Sequence, residues 1–235
     1  MEGKKLGVLG GMGPMATSLF FEKVIENTAA KKDQDHIDMI ILNHSTIPDR
    51  TEAILEQKEN AFLKAVKKDF QILEYAGVSN IAIPCNTSHY FIKEMQEMTD
   101  VNIINMIDET VKYIHDKYGG NAKVGILATD GTINSEIYQN GCSEYNLKPV
   151  IPMGLEQEQV MNNIYNFKED KPVNITEVET IIDNLINEED CSCVILGCTE
   201  LSCLELNEEV SLHCVDAMQA LVDQSILLSG KLVKD

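Results

Sequence analysis

The chain has 235 residues, of which 44% are hydrophobic and 24% are charged, a balance typical of a globular protein with a buried core. The formal net charge of −19 argues against nucleic acid and anionic membrane surfaces as partners. No apolar run is long enough to cross a membrane, and the charged start MEGKK does not resemble a signal peptide. We therefore expect a cytoplasmic protein, and the odd number of cysteines, seven, predicts reduced thiols rather than a disulfide framework.

Short apolar runs alternate with longer amphipathic segments, a pattern typical of parallel sheets covered by helices. The predicted strands are 6–9, 39–43, 80–83, 102–105, 123–128, 148–151 and 193–196. The predicted helices are 15–31, 50–76, 88–98, 107–117, 135–145, 156–167, 176–187 and 217–228.

A run that begins at Lys5 (KLGVL) recurs at Lys123 (KVGIL), which indicates a duplicated architecture. The sequence therefore predicts an α/β protein of two pseudo-symmetric lobes, each with a mainly parallel sheet flanked by helices. We assign residues 1–106 plus 213–235 to the first lobe and residues 107–212 to the second.

Two cysteines share a local sequence frame, one in each predicted lobe. Cys85 follows the apolar run IAIP and precedes NTSHYF, whereas Cys198 follows VILG and precedes TELSCL. Free cysteine is commonly a small buried apolar residue, but a thiol near a helix N-terminus is favoured as the thiolate. The repeated frame therefore predicts that both thiols carry chemistry.

The other cysteines carry less information. Cys191, Cys193, Cys198 and Cys203 have spacings that differ from those of common zinc sites, so we expect no metal there. We assign three cysteines to packing or to the surface: Cys142, Cys203 and Cys214.

The segment LGGMGPMAT, from Leu9 to Thr17, follows the first predicted strand. Its glycines favour a tight turn, and Pro14 suits the first position of a helix. The turn matches the GxGxxA pattern of dinucleotide-binding proteins, but Asn43 ends the second strand where an acidic residue would bind the ribose. We therefore expect a turn that lines a small-molecule cleft.

Arg50 is the only arginine of the chain and lies in NHSTIPDR, just beyond a predicted strand. Its rigid fork suits bidentate binding of a carboxylate, although a surface ion pair with Asp49 or Glu52 is an equal alternative. Asn43 and His44 are candidates for lining the site, and His44 could equally be a hydrogen-bonded structural residue.

Two opposed thiols suit proton exchange at a carbon atom, because one thiolate removes a proton while the other thiol delivers one. That is a two-base racemisation, which needs no metal or pyridoxal. His89 lies four residues after Cys85 and keeps an amidase-like alternative open, in which a single cysteine nucleophile uses a histidine base.

The motifs GGMGP, NHSTIPDR, PCNTSHYF, ATDGT and GCTEL occur in this order, and together they resemble the aspartate/glutamate racemase family. The resemblance spans essentially the whole chain and is closest to the aspartate racemase branch. Glutamate racemases typically carry a D-S-G turn near the N-terminus and GCTH at the second cysteine, where this chain has GMG and GCTE.

The resemblance implies a cofactor-independent isomerase, commonly a homodimer, with its active site in the cleft between two lobes. It implies that Cys85 and Cys198 are the catalytic acid/base residues. Arg50, helped by Lys168, would bind the side-chain carboxylate of a dicarboxylic amino acid. The remaining residues that the resemblance assigns to the substrate are Met12, Asn86, Thr87, Thr129, Thr132, Thr199 and Glu200.

We therefore expect a racemase that interconverts L- and D-aspartate, with glutamate as a further candidate substrate. Because both cysteines are present, reaction in both directions is favoured. Two alternatives remain: a related paired-cysteine isomerase, such as a maleate isomerase or a hydantoin racemase, and a dicarboxylate-binding protein without catalytic activity.

Overall fold

The computed structural model describes residues 4–234, so Asp235 and the first three residues of the charged start lie outside that range. The chain divides into two compact units. The first unit comprises Met1–Met106 and Met218–Asp235, and the second unit comprises Ile107–Ala217.

Each unit contains one four-stranded parallel sheet. The strands of the first sheet are β1 (Leu6–Gly10), β2 (Met39–Asn43), β3 (Asn80–Ala82) and β4 (Asn102–Ile103). The strands of the second sheet are β5 (Lys123–Leu127), β6 (Lys148–Val150), β7 (Cys193–Leu196) and β8 (Cys214–Asp216).

The two sheets have the same strand order, β2-β1-β3-β4 in the first unit and β6-β5-β7-β8 in the second. The repeated runs KLGVL and KVGIL therefore lie in equivalent central strands, β1 and β5. This equivalence confirms the predicted fold class of two related α/β lobes.

Helices flank both sheets. The N-terminal part of the first unit contains the helices α1 (Pro14–Asn27), α2 (Arg50–Leu55), α3 (Glu59–Tyr75) and α4 (Ile92–Gln96). They are followed by α5 (Met106–Tyr118), α6 (Asp130–Asn134), α7 (Ile137–Glu144), α8 (Leu155–Lys168), α9 (Ile175–Asn187), α10 (Glu208–Ser211) and α11 (Ala217–Leu228). Short 3₁₀ helices span Asp33–Asp35, Thr87–Phe91 and Leu201–Cys203. Within residues 4–234, no helix has both the length and the apolar character needed to cross a bilayer.

Each unit has its own apolar core. In the first unit, α3 buries one stripe against the sheet, formed by Phe62, Val66, Phe70 and Leu73. In the second unit, α9 does the same with Val178, Ile181, Ile182 and Leu185. These spacings of three, four and seven residues place each set on a single helical face, which explains why the segments fold as amphipathic helices.

The predicted helix 50–76 is wrong as a single element, because it is divided into α2 and α3. Gln57 lies between them with a φ of 56°, a left-handed conformation that ends α2. The predicted helix 135–145 corresponds to α7, which begins at Ile137 because Glu136 before it has a φ of 57°. The segment predicted as helix 88–98 begins as the 3₁₀ helix Thr87–Phe91 before α4.

Residues 214–216, which we expected in the first lobe, instead form β8 at the edge of the second sheet. Val215 of β8 is paired with Ile195 of β7 in parallel register. The chain therefore enters the first unit again only at α11.

Candidate active site

The candidate site residues lie in loops at the carboxyl ends of the strands. In both sheets the first strand along the chain lies between the second and the third. The chain therefore leaves the two central strands in opposite directions, and ligands of open α/β sheets bind in the crevice at such a switch point. Gly11 and Cys85 follow the central strands of the first unit, and Thr129 and Cys198 follow those of the second.

The glycine turn after β1 is held by Thr17. The Gly11 amide donates to Thr17 Oγ1 over 2.9 Å, and the same hydroxyl donates to the Gly13 carbonyl over 2.9 Å. Gly11 has a φ of 96°, and a Cβ atom there would lie 2.4 Å from the backbone carbonyl carbon of His44. Only glycine therefore fits, and Met12 is buried within this turn.

Cys85 lies three residues beyond the end of β3 and is 5% exposed. Its carbonyl accepts hydrogen bonds from Ser88 Oγ over 2.7 Å and from His89 Nδ1 over 2.8 Å. His89 Nε2 accepts from the Met106 amide over 3.2 Å, and burial lowers the pKa of His89. The imidazole is therefore a neutral structural group bonded to backbone on both sides, and the amidase-like alternative is wrong.

Asn86 and Thr87 follow Cys85 and are both buried. The Asn86 side chain makes no capping hydrogen bond to the next helix, which is of the 3₁₀ type. Both polar side chains are thus buried directly after the Cys85 position in the chain, and they remain candidate ligands for a carboxylate.

Arg50 is the first residue of α2 and is 8% exposed, so it is not a surface group. Its Nη1 donates to the Pro48 carbonyl over 3.2 Å. Asp49 caps α2 by accepting from the Glu52 amide, and Glu52 accepts from Lys58. The burial of Arg50 favours the binding role for the guanidinium over a surface ion pair.

His44 follows β2 and is hydrogen-bonded to a carboxylate of α3. Its Nδ1 lies 2.6 Å from Oδ2 of Asp69, and Asp69 is buried. The structure therefore bears out the hydrogen-bonded interpretation of His44. Asp69 could not be predicted as its partner from a local pattern, because the two residues are 25 positions apart.

In the second unit, two threonines form the turn after β5. Thr129 Oγ1 accepts from the Thr132 amide over 3.3 Å and lies 3.2 Å from the Thr132 hydroxyl. Both side chains are buried, and Gln157 of α8 donates to the Ala128 carbonyl over 3.0 Å. The loop is thus fixed to α8, the helix that ends at Lys168.

Cys198 lies two residues beyond β7 and, like Cys85, is 5% exposed. Gly197 before it allows a close approach: a Cβ atom there would lie 3.0 Å from the Leu127 carbonyl oxygen and 3.2 Å from Tyr138 Cε2. The fully buried ring of Tyr138 therefore supports the backbone that carries Cys198. No local sequence pattern predicted Tyr138 in this role.

The Cys198 thiol donates a hydrogen bond to Oε2 of Glu200 over 2.9 Å. Burial raises the pKa of the Cys198 thiol well above its usual range, and the negative charge of Glu200 raises that pKa further. The expectation that a helix N-terminus favours the Cys198 thiolate is therefore wrong. The following helix, Leu201–Cys203, is a short 3₁₀ turn, and desolvation outweighs its dipole.

Lys168 is the last residue of α8 and is exposed. Its Nζ lies 4.7 Å from the centre of the Tyr165 ring. Its positive charge lowers the pKa of Cys198, against the stronger effects of burial and Glu200, so it lies within electrostatic range of that thiol.

The structure thus gathers the candidates into one set per unit. The first unit brings Met12, Asn86 and Thr87 to the same sheet edge as Cys85, with Arg50 at the start of α2, the helix that follows β2. The second unit brings Thr129, Thr132, Thr199, Glu200 and Lys168 to the region of Cys198. Within residues 4–234, no group of three His, Cys, Asp or Glu side chains is placed to hold a metal ion.

Comparison with known proteins extends over the whole chain. Residues 9–225 match the family described as Asp/Glu/Hydantoin racemase. The broad specificity amino-acid racemase RacX of Bacillus subtilis is 30% identical over 229 residues, which cover 94% of this chain and 96% of that protein.

Two solved structures resemble the whole fold. Picrophilus torridus aspartate racemase has a TM-score of 0.83 and 34% identity, covering 99% of this chain and 96% of that chain. An aspartate racemase homologue from Pyrococcus horikoshii has a TM-score of 0.78 and 26% identity, covering 97% of this chain and 99% of that chain. The chain therefore belongs to the Asp/Glu/hydantoin racemase family and is an isomerase of the racemase type.

Proposed function

We propose that this protein interconverts L- and D-aspartate without a cofactor, with Cys85 and Cys198 as the two acid/base groups. The observation that carries the proposal is the equivalence of the two thiols. Each is buried, and each follows the third strand of a sheet with the same strand order. Such equivalence is what a reaction on two mirror-image substrates requires.

The chemistry follows from the acidity of the α-proton and the two thiols. One cysteine, as thiolate, takes the proton from Cα and leaves an electron pair on that carbon. The other cysteine, as thiol, gives its proton to the opposite face of the planar intermediate. The roles exchange when the other enantiomer binds, so both cysteines are needed in both directions.

The substrate is assigned from the cationic residues. In a chain of net charge −19, an anionic substrate needs a local positive charge. Arg50 is buried although it carries a full charge, and Lys168 is close enough to Cys198 to affect its pKa. These two residues suit the side-chain carboxylate of a dicarboxylic amino acid, with Asn86 and Thr87 for the α-carboxylate. The similarity to Picrophilus torridus aspartate racemase supports aspartate over glutamate.

A chiral chromatography panel over the L- and D-forms of aspartate, glutamate and alanine tests this function. We expect the wild-type protein to racemise aspartate fastest and alanine least. Cys85→Ala and Cys198→Ala should each abolish racemisation, because neither variant can complete a two-base cycle. Cys142→Ala is the matched control, since Cys142 is also a free, buried cysteine but lies on α7.

Three results would contradict the proposal. Racemisation retained in either catalytic variant would exclude the paired-thiol mechanism. A stable covalent adduct on Cys85 or Cys198, detected by mass spectrometry, would instead support a paired-cysteine isomerase that uses nucleophilic catalysis. Binding of aspartate by calorimetry without any turnover would support a dicarboxylate-binding protein.

A further inference from the structure

The two candidate thiols differ in their immediate surroundings. Cys198 Sγ lies 2.9 Å from Glu200 Oε2, and both residues are nearly inaccessible, at 5% and 4% exposure. Cys85 is equally buried, but among residues 4–234 its sulfur takes part in no hydrogen bond. The pseudo-symmetry of the fold therefore does not extend to the proton partners of the two thiols.

The backbone fixes the carboxylate of Glu200 against the thiol. The Leu201 amide donates to the Cys198 carbonyl over 2.9 Å, and the Cys203 thiol donates to the Thr199 carbonyl over 3.4 Å. Glu200 lies inside this tight turn with helical backbone angles of −67° and −34°. Its side chain is thus directed back to the residue two positions earlier rather than out to solvent.

A buried carboxylate is costly unless it is hydrogen-bonded, and a thiol is a weak donor. A carboxylate placed against a catalytic thiol has a use that compensates this cost, because it offers a place for the proton that the thiol must lose. Burial and the Glu200 charge both hold Cys198 in its protonated form at rest. The thiol therefore needs an internal acceptor before it can act as a base.

We propose that Glu200 is the proton acceptor that activates Cys198, in addition to any contact it makes with the substrate. This role rests on the racemase function proposed above. The Cys198 S–H bond breaks and an O–H bond forms on Glu200, so the pair keeps one proton and one negative charge while the sulfur becomes a thiolate. The substrate Cα–H bond then breaks, its proton goes to sulfur, and its electron pair stays on carbon.

The cycle balances once Cys85 is included. Cys85 gives its S–H proton to the other face of the carbanion and becomes the thiolate, so the single negative charge has moved from the Glu200 pair to Cys85. Proton exchange with solvent restores the resting state. In the reverse direction Cys198 is the proton donor and Glu200 holds the charge that remains. Glu200 is thus required for proton removal by Cys198 but not for proton removal by Cys85.

Steady-state racemisation cannot separate these half-reactions, because the equilibrium constant of a racemase is one and forces both directions to share the same kcat/KM. The L-threo and D-threo forms of 3-chloroaspartate, which are enantiomers of each other, can separate them. After the Cα proton is removed, the electron pair forms a Cα=Cβ double bond and chloride leaves, which ends the reaction. The rate of chloride release from each enantiomer therefore measures proton removal by only one of the two cysteines.

The decisive variant is Glu200→Gln, which keeps the size and removes the charge. One enantiomer is identified by the loss of its turnover in Cys198→Ser. We expect Glu200→Gln to release chloride from that enantiomer about 100-fold more slowly than wild type, and from the other enantiomer at a rate that changes by less than about twofold. Glu200→Asp keeps a carboxylate and should lie between Glu200→Gln and wild type. Glu205→Gln, an exposed acid on the same segment, is the control and should match wild type.

A second readout needs no substrate. In protein labelled with ¹³C at the cysteine β-carbons, the Cys198 signal, assigned by its loss in Cys198→Ser, reports the ionisation of this thiol alone. Removing the adjacent negative charge in Glu200→Gln should move the Cys198 titration midpoint to lower pH by about one unit or more. An unchanged or higher midpoint would overturn the proposal whether or not the protein acts on aspartate.

The two readouts separate the role of Glu200 from the function on which it rests. A wild-type protein that neither racemises aspartate nor releases chloride refutes the proposed function, and the titration still tests whether Glu200 holds a negative charge against Cys198, which an acceptor must do. An active wild type in which Glu200→Gln slows both enantiomers equally, or neither, refutes the role of Glu200 and leaves the function standing.

Discussion

Arg50 combines a full positive charge with burial, and this combination gives a direct test of its role. The Arg50→Lys variant keeps the charge but loses the rigid fork that can bind a carboxylate through two parallel hydrogen bonds. We expect the KM for aspartate to rise about 10- to 100-fold, from the loss of a charge-assisted bond, with a smaller change in kcat.

Lys58→Arg is the matched control for Arg50→Lys. Lys58 lies in the segment that follows α2 and makes exposed ion pairs with Glu52 and Glu56. Steady-state kinetics by chiral chromatography should show wild-type values for this control. An unchanged KM in Arg50→Lys would remove Arg50 from the substrate-binding residues.

At the residue scale, the positions of the two candidate cysteines were more predictable from the sequence than the protonation state of their thiols. The apolar runs before Cys85 and Cys198 place both thiols after strands, because such runs fold as buried strands of a parallel sheet. The raised pKa of Cys198 was not predictable, since it depends on full burial and on the direction of the Glu200 side chain. Both are set by a 3₁₀ turn whose geometry is not encoded in the motif GCTE alone.

At the scale of elements, α8 and α9 are joined through one buried amide. Asn163 Nδ2 donates to Glu177 Oε2 over 2.7 Å and to the Gln159 carbonyl over 2.9 Å. Its Oδ1 accepts from the Asn174 amide over 2.7 Å. The side chain thus links both helices and the loop that connects them.

Asn163→Ala should lower the free energy of unfolding by about 2–4 kcal/mol, because it removes these bonds and leaves buried groups without partners. Asn162→Ala is the control, since Asn162 is exposed on the same helix and should change that free energy by less than about 0.5 kcal/mol. Urea denaturation measures both. Equal losses in the two variants would show that the buried amide has no special contribution.

The elements that were predicted well are those with a strong apolar period, such as β1 and α9. The division of the predicted helix 50–76 at Gln57 was not predictable, because this residue adopts a positive φ without being glycine, asparagine or aspartate. β8 was missed for a different reason. It has only three residues, and its assignment to the second sheet depends on pairing with β7 rather than on a local pattern.

For the whole molecule, buried cysteines make stability depend on alkaline pH. Burial raises the pKa of Cys142 and Cys191 to about 11 and that of Cys193 to about 12. A thiol whose pKa is raised in the folded state stabilises the fold fully below the pKa of the unfolded chain, near 9, and this contribution is lost as pH rises through the folded-state values.

We therefore expect the free energy of unfolding to fall above about pH 9, with each protected thiol contributing up to about 1.4 kcal/mol per pH unit. Chemical denaturation under reducing conditions between pH 8 and 11 measures this slope. Cys193→Ala should make this slope shallower by the contribution of one thiol, whatever the substitution does to the free energy of unfolding at neutral pH. A stability that stays constant from pH 8 to 10.5 would contradict this account.

The duplication at the whole-molecule scale was predictable because each repeated run, KLGVL and KVGIL, forms an equivalent central strand. The boundary near residue 213 was not, because the last strand of the second sheet and the first turn of α11 follow each other without a linker.

The central claim is that two different thiols serve opposite faces of one carbon, and racemisation in D₂O tests it most directly. L-aspartate is incubated with the wild-type protein in D₂O, and both enantiomers are separated and analysed by mass spectrometry at early times. We predict that the newly formed D-aspartate carries deuterium at Cα while the remaining L-aspartate does not, because the proton is removed by one thiol and the deuteron delivered by another. D-aspartate without deuterium, or equal labelling of both enantiomers at early times, would contradict the two-thiol mechanism.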